Sequence, residues 1–130
     1  TIKTAHHGPN NEEYCWYQCT VRGGREGRDV DVVQLVTACE ELGCGEILLN
    51  CIDRDGTNNG FDLELIKMVE EVVSIPVIAS SGAGDSSHFI EVFKKTKVEA
   101  ALAAGIFHRG EVAIEEVKSA VASEGIVTRS

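Results

Sequence analysis

From Glu46 onward, short apolar runs alternate with longer stretches whose apolar residues recur at three- and four-residue spacing. The runs Glu46–Cys51 (EILLNC), Ile75–Ser80 (IPVIAS) and Glu99–Ala104 (EAALAA) are too short for helices and predict strands. Val32, Leu35, Val36, Cys39 and Leu42 form the apolar stripe of a helix over Asp31–Leu42. Ile66, Val69 and Val73 mark a second helix, begun by Asp62. Asp85 or Ser86 caps a third that runs through Phe93, and Ile114, Val117 and Val121 mark a last. The predicted strands start somewhat less than about 30 residues apart, the length of one strand–helix unit. Such a series implies an α/β fold with parallel strands joined by right-handed crossovers.

The beginning of the chain reads differently. Tyr14–Val21 (YCWYQCTV) is rich in aromatic and β-forming residues and runs into the turn glycines Gly23-Gly24, as one arm of a hairpin does. Thr1–Asn11 is polar, contains Gly8-Pro9-Asn10, and reads as a loop or frayed strand. We therefore expect a hairpin arm over residues 1–28 and strand–helix units over 29–130, together one partial domain.

Composition narrows the function. With 130 residues and 43% hydrophobic, the chain suits one domain and is too apolar for a disordered tail. No apolar run approaches the roughly 20 residues of a membrane-spanning helix. Twelve basic against 21 acidic residues give a formal charge of −9, which disfavours a nucleic-acid binder. Any anion must be held by local donors against the global field. The five cysteines, Cys15, Cys19, Cys39, Cys44 and Cys51, are odd in number and lack CxxC spacing, which argues against a disulfide framework or zinc site. Most are expected to be small core residues in a reducing compartment. No metal or other cofactor is expected. The chain opens at Thr1 without a methionine and shows no targeting segment, so we expect a fragment of a longer protein.

Polar and glycine residues gather where the strands end: Asn50–Thr57, then Ser80–Gly84, then Ala103–Ile106. In a parallel sheet these ends lie on one side, where such folds place their sites. The turn Ser80-Ser81-Gly82-Ala83-Gly84 offers hydroxyls and backbone N–H groups without bulky side chains. Ala104 and Gly105 open a similar turn, and together they predict a phosphate cradle. Asp55 is placed to act as an acid or base, whereas Asp53 reads equally well as a solvated turn or helix cap. By strand parity, Glu46, Leu48 and Asn50 point inward, with Leu48, Val77 and Leu102 on the inward face and Glu46 at the floor, placed for a salt bridge there. His6-His7, His88 and His108 read as surface, first-turn or packing residues.

Four ordered stretches resemble the cyclase part of imidazole glycerol phosphate synthase, of histidine biosynthesis: WYQCTVRGGRE (Trp16–Glu26), GEILLNCIDRDGTNNGFD (Gly45–Asp62), PVIASSGAG (Pro76–Gly84) and AALAAGIFHRGE (Ala100–Glu111). The wording is most like the eukaryotic fused form, especially that of plants and algae. The resemblance implies the C-terminal half of a (β/α)8 TIM barrel. It also implies a lyase that uses ammonia, from a glutaminase domain or subunit, to split a phosphoribulosyl formimino nucleotide. The products are imidazole glycerol phosphate and aminoimidazole carboxamide ribotide. Carried over by motif, Asn50 and Asp55 (auxiliary) end strand six, Ser80, Ser81 and Gly82 form the phosphate turn after strand seven, and Ala104 and Gly105 the turn after strand eight. Glu46 matches the ammonia-gate glutamate. The family often has glycine at the position of Ser81, serine at that of Gly105 and threonine at that of Asn50. Its essential aspartates, at the ends of the first and fifth strands, lie outside this sequence, so the chain alone is expected to be inactive. Implied partners are the phosphorylated substrate, an N-terminal half-barrel and the glutaminase, with no nucleic acid or membrane. The implied compartment is the cytoplasm, or a plastid in a plant or alga. A related sugar-phosphate isomerase barrel is disfavoured by LLNCIDRDGT and GIFHRGE. A half-barrel that binds sugar phosphates or a partner without turnover is the alternative for these residues alone.

Overall fold

Alternate residues of strand β4 (Ile47–Asn50) face opposite ways: Ile47 and Leu49 are buried, while Leu48 and Asn50 are exposed. The computed structural model describes residues 1–7 and 13–129, with backbone alone at residues 2, 4–7, 13 and 14. The Gly8-Pro9-Asn10 turn and the side chains of His6 and His7 lie outside the described residues.

β4 is followed by α2 (Leu63–Val72), β5 (Val77–Ser80), α3 (Ser86–Lys95), β6 (Ala100–Leu102), α4 (Gly105–His108) and α5 (Ile114–Ser123). The strands pair in parallel in the order β4-β5-β6, with Asn50 beside Ser80 and Ser80 beside Leu102. Each strand is shorter than its apolar run. Glu46, Ile75, Pro76 and Glu99 lie before the ladders, and Cys51, Ala103 and Ala104 lie after them. The register also corrects one inward assignment. Val77 pairs with Ile47 and is buried with it beneath the helices, so Ile78 occupies the face shared by Leu48. That face is open among the described residues, and Leu48 is 58% exposed.

Ahead of this sheet, β1 (Ile2–His7), β2 (Glu13–Val21) and β3 (Glu26–Asp31) form an antiparallel sheet in that order. Thr1–Asn11, read as loop or frayed strand, thus contains a paired strand, which polar composition conceals. β3 runs across the expected 28/29 boundary to Asp31, the N-cap of α1 (Val32–Glu41). Asp31 and Gln34 complete a capping box there. In the α1 stripe Val32 and Val36 are buried, but Leu35 and Leu42 are not: Leu42 is the C-cap, 88% exposed.

One core joins both sheets. Tyr17 and Cys19 of β2 enter the same cluster as Leu49, Leu65, Val69, Phe89 and Val92. Phe61 and Phe89 meet edge to face at 5.6 Å. Carboxylates anchor the loops at the opposite end of the strands from the polar turns. Glu40 Oε1 accepts the Ser74 N–H (2.8 Å), the Ser74 hydroxyl (2.5 Å) and the Ile75 N–H (3.2 Å) just ahead of β5. Glu70 Oε1 does the same for the Lys97 N–H ahead of β6, at 2.7 Å.

The Ser74 donors hold the Glu40 carboxyl below its ordinary 4.5. A depressed folded-state pKa gives stability that is present above 4.5 and lost as pH falls through the folded value. Glu40→Gln is therefore expected to lower Tm at pH 7 and to converge with the parent in acid. A Tm gap that stays constant from neutral pH down to acid would remove this anchor.

Candidate functional site

The ends of β4, β5 and β6 open into a cavity of about 400 Å³ lined by Asn50, Asp55, Ser80, Ser81, Gly82, Ala104 and Gly105, among others. These seven residues, singled out at the strand ends, are therefore brought together. Glu46 is not: it precedes β4, about 13 Å along the strand at 3.3 Å per residue. It is exposed, and its carboxylate has no ion pair among the described residues, where a floor salt bridge was anticipated.

Asn50 organises the centre. As the last residue of β4 it shares the open face with Leu48, and its Oδ1 accepts the Ser80 hydroxyl at 3.1 Å and the Ser81 hydroxyl. Ser81 is buried with φ +82°, a left-handed conformation that costs a non-glycine residue roughly 1–3 kcal/mol. Its bond to Asn50 offsets part of that cost. Glycine at this position, frequent in the resembling family, needs no such compensation. The N–H groups of Gly82 and Ala83 have no protein acceptor among the described residues, so they are free to meet an anion.

The loop after β4 is stapled to the turn after β5. Gly60 N–H donates to the Gly82 carbonyl at 2.8 Å, and Gly84 packs so closely on Asn58 that a Cβ would lie 2.9 Å from the Asn58 Cβ. Within the loop, the Arg54 and Asp55 N–H groups donate to the Cys51 carbonyl, and the Thr57 hydroxyl donates to that of Arg54 at 2.8 Å. These bonds carry Asp55, an exposed side chain, to the cavity rim. Asp53 points elsewhere: its Oδ2 accepts the Lys3 N–H at 2.6 Å and pins β1.

Beneath the loop lies a buried polar junction that the sequence reading missed except as a helix start. Asp62 caps α2 by accepting the Leu65 N–H at 3.0 Å, takes the Tyr17 hydroxyl on both oxygens at 3.2 Å, and takes the Cys51 thiol at 3.5 Å. Burial first, and Asp62 second, push the Cys51 thiol up to about 11 and the Tyr17 phenol well above its ordinary range. Both remain protonated donors at neutral pH and serve as struts, not acid–base groups.

Most of the cysteines were expected in the core, but only Cys19 and Cys51 are buried; Cys39 is half-buried, and Cys15 and Cys44 are exposed. His88 Nδ1 accepts the Gly84 N–H at 2.9 Å and steadies the turn after β5. His108, expected to pack, is exposed. Arg109 and Asn58 also line the cavity. The signal for Arg109 was its place four residues after Gly105, one helical turn away.

Parallel strands flanked by helices, with glycine-rich turns and convergent polar groups at the strand ends, define an α/β protein of the class that gathers its polar groups at one end of a parallel sheet. Residues 5–113 match the family described as histidine biosynthesis protein, and the chain belongs to that family. It is 60% identical over 129 residues to imidazole glycerol phosphate synthase hisHF of Schizosaccharomyces pombe, covering 99% of this chain and 24% of that protein. It is likewise 60% identical to the chloroplastic hisHF of Arabidopsis thaliana, covering 98% of this chain and 22% of the relative. Against the HisF subunit of Methanosphaera stadtmanae it is 50% identical, covering 92% of this chain and 43% of the subunit. The chain thus spans about a quarter of the fused relatives (24%) and under half of the separate subunit (43%). Among the described residues, no helix is long and apolar enough to cross a membrane.

Proposed function

We propose that this chain supplies the C-terminal half of a (β/α)8 barrel, with a hairpin arm before it, to an imidazole glycerol phosphate synthase cyclase. The observation that carries this reading is the convergence of Asn50, Asp55, Ser80, Ser81, Gly82, Ala104 and Gly105 on one cavity. In it, the Ser80–Ala83 turn and the Ala104–Gly105 turn hold one terminal phosphate of the phosphoribulosyl nucleotide. Asn50 orders the two serine hydroxyls, and Asp55 assists proton transfer beside aspartates contributed by the other half. Glu46, at the far end of β4, faces the route of ammonia from a glutaminase domain or subunit. The open face of Leu48 and Leu102, and a cavity of about 700 Å³ along β6 lined by Phe93, Ala101, Ile114 and Val127, favour an N-terminal half-barrel as neighbour. The reading places the protein in the cytoplasm, or in a plastid in a plant or alga.

Ammonia-dependent turnover of the phosphoribulosyl substrate tests it. The full-length protein is expected to form imidazole glycerol phosphate, and Asp55→Asn in that protein to lower kcat about 10²-fold or more. The 130 residues alone are expected to show no turnover. Cyclisation by those residues alone, or none by the full-length protein, would overturn the proposal.

A further inference from the structure

Two charged side chains line the strand-end cavity, Asp55 and Arg109, within a chain of formal charge −9. Among the described residues Arg109 is the only Lys or Arg there. A dianion held solely by backbone N–H groups and hydroxyls would face both Asp55 and the global field, so a cation nearby would strengthen its binding.

The geometry of Arg109 suits that role. Its guanidinium is held by Glu111, with Nε 2.6 Å from Oε1 and Nη2 3.1 Å from Oε2. Nη1 is left without a protein acceptor among the described residues. Gly105 sets where that nitrogen lies. A Cβ on Gly105 would sit 2.7 Å from Nη1 and 3.3 Å from Cζ, so the guanidinium occupies the space a side chain would take at the turn. The absence of a side chain at Gly105 and the presence of Arg109 are therefore two halves of one arrangement. Glu111 orients the fork but does not consume it, since a guanidinium offers donors along more than one edge.

We infer that Arg109 is a phosphate-binding residue, its Nη1 donating to the phosphoryl oxygens of a phosphate monoester in this cavity, with Glu111 as its positioning residue. Arg109 takes the place that a hydroxyl on residue 105 would fill. The inference rests on the phosphate-cradle reading above, which does not itself invoke Arg109.

Calorimetric titration of the full-length protein with inorganic phosphate and with glycerol 3-phosphate, at low ionic strength, separates the two. Arg109→Gln is expected to weaken both ligands about tenfold or more, and to flatten the dependence of affinity on salt. Arg109→Lys should fall between, keeping the charge but losing the fork held by Glu111. Arg109 is exposed, so both variants are expected to fold with unchanged circular dichroism. In a Gly105→Ser background the guanidinium is displaced, so Arg109→Gln should then cost much less, giving a non-additive cycle. If the parent shows no saturable phosphate binding, the cradle reading and this inference fall together. If the parent binds and Arg109→Gln binds equally well, the cradle stands and Arg109 is no part of it.

Discussion

Gly82→Val is expected to weaken phosphate binding at the strand-end cavity more than tenfold and to destabilise the protein by more than about 2 kcal/mol. Two independent physical terms act at this position. The backbone has φ +105°, where a β-branched residue is strained. A Cβ would also overlap the Gly60 carbonyl oxygen and lie 2.9 Å from its carbon. Because Gly60 N–H donates to the Gly82 carbonyl, the two backbones are already in contact and neither can retreat without breaking the staple. The turn would shift, and with it the free N–H groups of Gly82 and Ala83. Gly56→Ala is the matched control. Gly56 also has positive φ, +73°, but a Cβ there meets nothing within 4 Å. That variant is expected to lose only about 1 kcal/mol and to keep its affinity. Denaturant titration and phosphate calorimetry on both variants check the contrast. Parent-like affinity in Gly82→Val would remove the turn from the binding site.

Those residues were legible because their signal is local. A strand's end, a run of small residues and a glycine can all be read along the chain, and parallel pairing then brings Asn50, Ser80 and Leu102 side by side without further information. The inward face needed register as well. Val77 and Ile78 are equally apolar, and only pairing with Ile47 shows that Val77 belongs beneath the helices. Strand β1 was hidden because its partner, not its composition, makes it a strand. Arg109 and the Asp62 junction are harder cases. Arg109 matters through what Gly105 lacks, and Asp62 through Tyr17, a partner 45 residues earlier in the chain. A helix cap can be predicted from Asp62 and the apolar stripe after it, but a second role on the same carboxylate cannot.

That second role carries the other large expected effect. Asp62→Ala removes the N-cap of α2, at about 0.5–2 kcal/mol. It also strands the fully buried Tyr17 hydroxyl, at about 1–3 kcal/mol. The sum, about 1.5–5 kcal/mol, is a large share of the roughly 5–15 kcal/mol typical of a domain. The damage should be local as well as global, because Cys51 and Asp62 bracket the loop that carries Asp55 and Asn58 to the cavity. Tyr17→Phe alone removes a donor and leaves Asp62 its remaining partners, so it should cost less. Combined with Asp62→Ala, it removes the orphaned hydroxyl, and the double variant should be more stable than the sum of the single losses predicts. Asp62→Asn keeps an acceptor for the Leu65 N–H and should retain most of the cap. Denaturant unfolding of the four proteins gives the cycle, and limited proteolysis within residues 51–62 reports the loop. Strictly additive losses would mean that Tyr17 and Asp62 are not coupled, and an Asp62→Ala protein as stable as the parent would show that the junction does not hold the arm to the parallel sheet.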